Sequence, residues 1–222
     1  MGEERGGVEK RQYKWEDIRE TLIFVYIIPY THTGEITHRT MMMMRIVGVV
    51  LCAALVACVD VMPQKDFDLE KMAGKWWTVG YGTNAQWFVS RKANMKMGID
   101  LLTPTASGDL DITSTKENDD GSCWNVTHLA QKTDTPGRLT FTSQRWNNDN
   151  DMRVVAVQYD DFALTHIIMT QNGVPEVLNK LISRTPGVSE ALQQKFRQFS
   201  LDTGVLSDNI AILPKISECS KA

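Results

Sequence analysis

The chain has 222 residues, of which 42% are hydrophobic and 23% are charged, and its formal net charge is −3. This composition is typical of a globular protein with a sizeable core, and it excludes a disordered or fibrous chain. The slight acidic excess and the lack of a basic cluster interleaved with aromatic residues argue against nucleic acid as a partner.

A short apolar segment, MRIVGVVLCAALVAC, spans residues 44–58 and carries one positive charge at its start. Its length suits the hydrophobic region of a signal peptide and is too short for a membrane-spanning helix. We therefore predict a secretory signal peptide at 44–58, a secreted domain at 59–222 and no stable membrane insertion. The alternative is a bacterial lipoprotein box, LVAC, in which Cys58 would be lipidated.

The segment before the signal, residues 1–43, contains a charged start, a short apolar patch and four consecutive methionines. About forty residues without a core cannot fold alone. We interpret this segment as an upstream extension that is disordered or absent from the mature protein, with Met44 or a preceding methionine as the natural start.

Two cysteines, Cys123 and Cys219, would remain after removal of the signal. In an oxidising compartment such a pair implies one disulfide, and two free buried thiols are the alternative. The bond would close a loop of about one hundred residues and stabilise the fold by about 2 to 4 kcal/mol.

Short alternating runs, separated by segments rich in Gly, Pro, Asn and Asp, begin at Lys75. They predict eight strands at 76–81, 93–102, 109–116, 122–130, 138–143, 152–160, 162–170 and 177–183. Eight short strands at regular spacing predict an all-β fold, an eight-stranded antiparallel up-and-down β-barrel. The interior of such a barrel is either filled by side chains or holds one small ligand.

One helix is predicted after the strands. The segment TPGVSEALQQKFRQF opens with proline and places Val188, Leu192, Phe196 and Phe199 on one stripe. This spacing predicts a C-terminal α-helix packed against the outside of the barrel. The next segment, VLSDNIAILP, predicts a turn and a short last strand.

The parity of the strands indicates a mainly apolar lumen with scattered hydroxyl groups. Leu110, Ile112 and Ser114 share one face, as do Leu139 and Phe141. Few polar groups and many apolar ones are typical of a pocket for a lipophile. The two histidines of the mature chain lie on different predicted strands without the ligand spacing of a zinc site, so we expect no metal and no cofactor.

A Gly-x-Trp motif, Gly74 and Trp76, opens the first strand after a short helical turn. Together with VQYDDFALTHI (157–167) and ISRT (182–185), it resembles the lipocalin family over residues 64–222. The resemblance implies the same barrel, with Arg184 packed over Trp76 and with Cys123 paired to Cys219.

The resemblance also assigns a ligand cavity. It implies that Trp87, Met97, Ile112, Ser114, Phe141, Met152 and Ile182 line this cavity, with ordinary barrel core as the alternative for each residue. Trp87 is expected at the open end, where its ring would cover an apolar ligand and its N–H could donate. Asp100 and Lys116 are expected to face inward near the mouth, where the lysine could meet a ligand carboxylate, or else to be solvated.

Within the family, the segments VGYGTNAQWFVSRK, SRT and FSLDTGVLSDNIAILPKISEC are most similar to the prostaglandin D synthases of vertebrates. In those enzymes a cysteine thiolate on the second strand attacks the endoperoxide oxygen of the substrate. Here NMKMGIDLL places Gly98 at that position, and a glycine has no side chain to ionise. We therefore expect that the isomerase activity is lost.

The leading hypothesis is a secreted, monomeric carrier of a small lipophilic molecule such as a retinoid, fatty acid or steroid, with a cell-surface receptor as a further partner left open. The alternative is an enzyme, a prostaglandin H2 to D2 isomerase. A host-defence protein that captures an iron chelate is a third hypothesis. It would require several inward lysines or arginines, and the sequence offers at most one good candidate.

A glycosylation sequon occurs at Asn125-Val126-Thr127. If Val126 and His128 face the lumen, Asn125 faces solvent and can carry a glycan.

Overall fold

The computed structural model describes residues 60–118, 120–216 and Cys219. The described residues belong to one compact unit, which spans residues 59–222. The predicted extension and signal peptide lie outside the described residues. None of the helices in the described part combines the length and the apolar character that a transmembrane span requires.

Strands dominate the described part of the chain. The strands are β1 Gly74–Gly82, β2 Gly98–Pro104, β3 Leu110–Glu117, β4 Cys123–Lys132, β5 Arg138–Ser143, β6 Asn148–Gln158, β7 Phe162–Gln171, β8 Val174–Ser183 and β9 Ile210–Ile212. Helix α1, Gln86–Val89, follows β1, and helix α2, Glu190–Asp202, follows β8. Single 3-10 turns occur at Glu70–Met72, Lys92–Asn94 and Ser207–Asn209.

The strands form one antiparallel sheet in the order β2 to β8, then β1 and β9, and a further pairing of β1 with β2 closes it into a barrel. This arrangement confirms the predicted eight-stranded barrel, and the predicted short last strand is β9, paired outside the ring with β1. The predicted strand at 93–102 begins too early. The N–H groups of Asn94 and Met95 close helical turns, and that of Met97 donates to Pro214, so strand pairing starts at Gly98.

Helix α2 packs outside the barrel, as its apolar stripe predicts. Leu192 and Phe196 are buried, and the Ser189 hydroxyl caps the helix by accepting from the Leu192 N–H at 3.2 Å. The helix approaches β1 at Gly80, where an added Cβ would lie 2.8 Å from the Phe196 ring. Glycine at this position therefore permits the close contact between helix and barrel.

The floor of the barrel is the end closed by Trp76. Its side chain is fully buried, its Nε1–H donates to the Met72 carbonyl at 2.8 Å, and the Arg184 guanidinium carbon lies 3.8 Å from its ring centre. Gly74 has a φ of 101°, a backbone conformation that favours glycine. The expected stacking of Arg184 on Trp76 is thus present, with the motif glycine beside it.

The disulfide between Cys123 and Cys219 is present, with Cα atoms 5.8 Å apart. It attaches the start of β4 to the C-terminal segment. The expectation of one disulfide is therefore confirmed.

Strands β4 and β5 are paired over a short distance. Their register includes Gln131 opposite Thr140 and Lys132 opposite Leu139, whereas β3 and β4 are paired along all of β3. Within the described residues, β4 from 123 to 130 therefore has no register partner on β5. We call this gap, bounded by residues 123–130 and 140–146, the seam.

Candidate ligand-binding site in the barrel lumen

The alternation of the paired strands defines which side chains enter the lumen. Along β2 the inward positions run from Leu102 near the floor through Asp100 to Gly98, and along β3 from Ile112 through Ser114 to Lys116. The opposite end of the barrel, next to α1 and the turn between β5 and β6, is the mouth. The lumen thus has an apolar zone at the floor, a polar zone in the middle and the mouth above it.

The floor zone encloses a cavity of about 30 Å³. Its lining consists of Phe67, Met72, Asp100, Leu102, Leu110, Ile112, Leu139, Met152, Val154, Thr165, Lys180 and Ile182. This volume has room for water molecules but not for a lipophile.

The polar zone is organised by Asp100, which is only 4% exposed. One carboxylate oxygen accepts from the Lys180 ammonium at 2.8 Å and from the Thr78 hydroxyl at 2.8 Å. The other accepts from the Ser114 hydroxyl at 2.5 Å. We call Thr78, Asp100, Ser114 and Lys180 the polar belt.

Electrostatics hold the polar belt in its charged form. Burial raises the pKa of Asp100, but the Lys180 ammonium and the hydroxyl donors outweigh burial and leave this pKa below its usual value. Burial lowers the pKa of Lys180, but the Asp100 carboxylate more than compensates, so this pKa is raised. The two residues therefore form a buried ion pair at neutral pH.

A second lysine lies above the polar belt. The Lys116 ammonium donates to the Tyr81 hydroxyl at 3.1 Å and lies 5.2 Å from the centre of the Tyr81 ring. Its aliphatic stem lies over Gly98, where an added Cβ would be 3.3 Å from Cγ of Lys116. The lysine stem thus occupies the space into which a side chain at position 98 would project.

Aromatic residues form one wall of the mouth. The rings of Tyr81, Trp87 and Phe88 contact one another edge to face, with centroids 5.9 to 6.5 Å apart. Trp87, on α1, is 38% exposed, so its ring is accessible from solvent. Trp87 lies at the mouth end of the barrel, and its contact with a ligand stays a prediction.

A second aromatic wall crosses the seam. The imidazole of His128 on β4 stacks on Phe141 of β5 with centroids 5.2 Å apart, and it lies 5.7 Å from Trp146. Trp146 also contacts Trp124, and the Arg145 guanidinium carbon lies 4.4 Å from the Trp124 ring centre. Side chains thus bridge the part of the barrel that strand pairing leaves open.

The seven predicted cavity residues fall in different places. Ile112, Met152 and Ile182 line the floor cavity, and Ser114 belongs to the polar belt. Phe141 and Trp87 lie at the mouth.

Met97 is buried immediately before β2, and it is not among the residues that line the floor cavity. Its backbone is fixed to the C-terminal tail by the bond to Pro214. Its assignment to the ligand site stays a prediction.

Sequence reasoning missed Lys180 and Tyr81. The expectation of at most one inward cation is wrong, because both Lys116 and Lys180 point into the lumen. The sequence signal for Lys180 was its spacing, because residues 178, 180 and 182 lie on the same face of β8, and this face points into the lumen.

The sequon lies on the outer face of the barrel. Asn125 is exposed opposite Thr115, and the Thr127 hydroxyl lies 3.0 Å from that of Thr113. No group of potential metal ligands occurs among the described residues.

The barrel and its enclosed lumen define a small-molecule binding protein. Comparison with known proteins identifies its family: residues 73–216 match the model of the lipocalin / cytosolic fatty-acid binding protein family. The chain belongs to the lipocalin family, as the Gly-x-Trp motif and Arg184 predict.

Similar proteins include, by name, a lipocalin, a prostaglandin-H2 D-isomerase and a siderocalin. A lipocalin of Rhinella marina is 39% identical over 178 residues, which cover 78% of this chain and 97% of that protein. A prostaglandin-H2 D-isomerase of Felis catus is 32% identical over 183 residues, covering 82% of this chain and 95% of that protein. The solved structure of the siderocalin Ex-FABP shares the fold, with a TM-score of 0.59 and 22% identity over 67% of this chain and 97% of that chain.

Proposed function

We propose that this protein is a secreted carrier that binds a small lipophilic molecule in the mouth-side half of its lumen and performs no chemistry on it. The observation that carries this proposal is the pair of aromatic walls above the polar belt. One wall contains Trp87 and the other contains His128 and Phe141. These rings offer an apolar surface that is reached from solvent.

Burial of apolar surface supplies the affinity. At about 25 cal/mol per Å², removing about 300 Å² of ligand surface from water contributes about 7 kcal/mol before the cost of ordering the complex. Micromolar binding requires about 8 kcal/mol net, so the ligand needs a larger buried apolar area or additional polar contacts.

The absence of chemistry rests on position 98. In the resembling synthases this position holds the nucleophile, and here Gly98 faces the lumen beneath the stem of Lys116. Both described cysteines are held in the disulfide, so neither provides a thiolate. The similarity to a prostaglandin-H2 D-isomerase keeps that activity as the second candidate, and an assay with prostaglandin H2 and a thiol tests it directly.

The carrier proposal is tested by titrating the protein with retinoic acid and a panel of fatty acids while tryptophan emission is followed. We expect quenching, because Trp87, Trp124 and Trp146 lie at the mouth. The Trp87→Phe variant should lose part of this response. Trp77→Phe is the matched control, since Trp77 lies outside the lumen and should leave the ligand response intact. Failure of every ligand in the panel to change the emission would refute the proposal.

Cleavage of the proposed signal peptide is compatible with the contacts at the start of the domain. The Asp60 carboxylate pairs with the Arg153 guanidinium at 2.8 Å, so a mature chain that begins near residue 59 keeps this contact. Expression of the full chain in vertebrate cells should yield protein in the medium. Sequencing its N-terminus should place the cleavage site between residues 58 and 65, and its elution volume should be that of a monomer. Retention of residues 1–43 in the purified protein would contradict the proposed signal.

A further inference from the structure

We propose that Lys116 and the hydroxyl of Tyr81 bind the acidic group of the ligand, so that the carrier selects lipophilic acids over neutral lipophiles. This inference rests on the proposed function and deepens it by naming the class of ligand. Four observations support it: the balance of charges in the lumen, the position of Lys116, the second donor on Tyr81, and the contact between Gly98 and Lys116.

Lys116 is a cation that has no carboxylate counter-ion among the described residues. Asp100 is engaged by Lys180 and two hydroxyl groups, so this ion pair is complete. Among the described residues, the ion pairs include no carboxylate bonded to Lys116, and its recorded partner is the neutral Tyr81 hydroxyl. Lys116 is half-buried, so its ammonium is partly removed from water, and a ligand carboxylate would supply the missing counter-charge.

The position of Lys116 suits an acidic group at the inner end of a ligand. It lies on the mouth side of Ser114, opposite Trp124 in the register with β4. A carboxylate at Lys116 would therefore leave the apolar body of the ligand directed toward the aromatic walls. The polar belt beneath it separates this group from the apolar floor.

Tyr81 adds a second donor. Its hydroxyl oxygen accepts from Lys116, so its own proton is available for a carboxylate oxygen. Burial raises the pKa of Tyr81, but the charges of Lys116 and Lys180 outweigh burial and lower it. A more acidic hydroxyl is a stronger hydrogen-bond donor. One ligand carboxylate could therefore accept from the charged Lys116 ammonium and from the neutral Tyr81 hydroxyl.

Gly98 permits this arrangement. A Cβ at position 98 would lie 3.2 Å from the Thr115 carbonyl oxygen and 3.3 Å from Cγ of Lys116, closer than ordinary contact. A side chain here would displace the lysine stem. Glycine at this position therefore does more than remove a nucleophile, because it provides the surface on which Lys116 lies.

The test compares three ligands with the same chain: oleic acid, oleyl alcohol and methyl oleate. Affinities are measured by tryptophan emission for the wild type and for Lys116→Met, which keeps a long apolar stem without the charge. We expect the wild type to prefer the acid by about tenfold or more, and the variant to lose that preference while binding the alcohol as before. Lys195→Met is the matched control, because this lysine lies over Phe162 on the outer surface and should not alter the preference.

Two further variants protect the test against misfolding of Lys116→Met. Tyr81→Phe removes only the hydroxyl, and Gly98→Ala displaces the lysine stem without changing any charge. Both should weaken binding of the acid more than that of the alcohol, in protein whose circular dichroism matches the wild type.

The outcomes separate the inference from the proposed function. Equal affinity of the wild type for acid and alcohol, or an unchanged preference in Lys116→Met, would overturn the carboxylate subsite and leave the carrier standing. Absence of binding by all three ligands and by the panel above would overturn both.

Discussion

The guanidinium carbon of Arg184 lies 3.8 Å from the ring centre of Trp76, and its nitrogens donate to the carbonyls of Lys71, Lys75 and Tyr159. One side chain therefore covers the floor tryptophan and links the turn before β1 to the loop between β6 and β7. Cation–π stacking and charge-assisted hydrogen bonds act at the same group.

Replacement of Arg184 by methionine should lower the free energy of unfolding by about 2 kcal/mol, because it removes both the stacking and the donors. Arg184→Lys should recover little, since an ammonium cannot stack as a plane and donate in three directions. Urea denaturation followed by tryptophan emission measures the change. Arg145→Met is the control, because that arginine also lies over tryptophan but at the exposed mouth. An equal loss of unfolding free energy in both variants would show that the contact at the floor stabilises the protein no more than the exposed contact at the mouth.

Asp100→Asn should destabilise the protein by about 3 to 5 kcal/mol, because it leaves the Lys180 ammonium in the barrel without its counter-ion. The double variant Asp100→Asn with Lys180→Met should be more stable than Asp100→Asn alone. Thermal denaturation of the two single variants and the double variant gives the coupling between the residues.

The control for this pair is Asp68→Asn, which breaks the exposed contact between Asp68 and Lys71 and should change stability far less. If the effects of the two lumen substitutions simply add, Asp100 and Lys180 are not energetically coupled.

Stability should fall as the pH drops below about 6.5, and His166 should contribute to this fall. Burial lowers the pKa of His166, whose Nδ1 lies 2.8 Å from the Asn179 amide oxygen. The unfolded chain therefore binds a proton at a higher pH than the folded chain. As the pH falls from the pKa of His166 in the unfolded chain to its lower pKa in the folded chain, protonation of the unfolded chain increasingly favours unfolding. Above the pKa in the unfolded chain, the imidazole is neutral in both states and the folded state keeps its full stability.

The His166→Gln variant tests this assignment through the free energy of unfolding between pH 7.5 and 5. Its pH dependence should be shallower than that of the wild type by up to one proton, about 1.4 kcal/mol per pH unit. The His128→Gln variant measures the contribution of the second histidine to the pH dependence, because its pKa is also lowered by burial and by the charge of Lys180. Parallel curves for the wild type and His166→Gln would assign the dependence to other groups.

Gly98→Cys should introduce some prostaglandin H2 isomerase activity, because it restores a thiol at the position of the nucleophile in the resembling synthases. The new side chain would shift the Lys116 stem, whose Cγ lies 3.3 Å from a Cβ at this position, and a positive charge in the same part of the lumen favours the thiolate. Product formation in the presence of added thiol is the measurement, and Gly98→Ser is the control for a side chain of similar size. Continued inactivity would mean that the surrounding pocket has also diverged, and turnover by the wild type would refute the role given to Gly98.

Asn125 should carry a glycan when the chain is expressed in a vertebrate secretory system, because its side chain is exposed on the outer face of β4. Asn125→Gln and Thr127→Ala should each abolish the mobility shift that glycosidase treatment removes. Asn118→Gln is the control, since this exposed asparagine lies outside any sequon. An unshifted wild-type band would show that the site is not used.

The sequence predicts most of this barrel because its strands are short and alternate clearly. Arg138–Ser143 has the predicted bounds, and the helix at Glu190–Asp202 follows from the stripe of Leu192 and Phe196. The start of β2 is not predictable from alternation alone. The N–H of Met97 donates to the carbonyl of Pro214, which lies more than one hundred residues later in the chain. Nothing in the local sequence pattern indicates this contact.

The chemistry of the site was less accessible from sequence. A lysine within VLNKLIS resembles a solvated charge, and its partner Asp100 lies 80 residues earlier. Only the register of β8 and β1 with β2 brings the two into one lumen. The resemblance to the synthases drew attention to Gly98, but no local sequence pattern indicates the stem of Lys116 above it.

The seam between β4 and β5 affects how the barrel can accommodate its cargo. Between most neighbouring strands, widening would require backbone hydrogen bonds to break. Here His128, Phe141 and Trp146 maintain closure through ring contacts, which are individually weak and can slide. The disulfide at Cys123 ties the start of the loosely paired strand to the C-terminal tail. We therefore expect the mouth to widen more readily at the seam than between fully paired strands, which would let ligands of different width enter without loss of the fold.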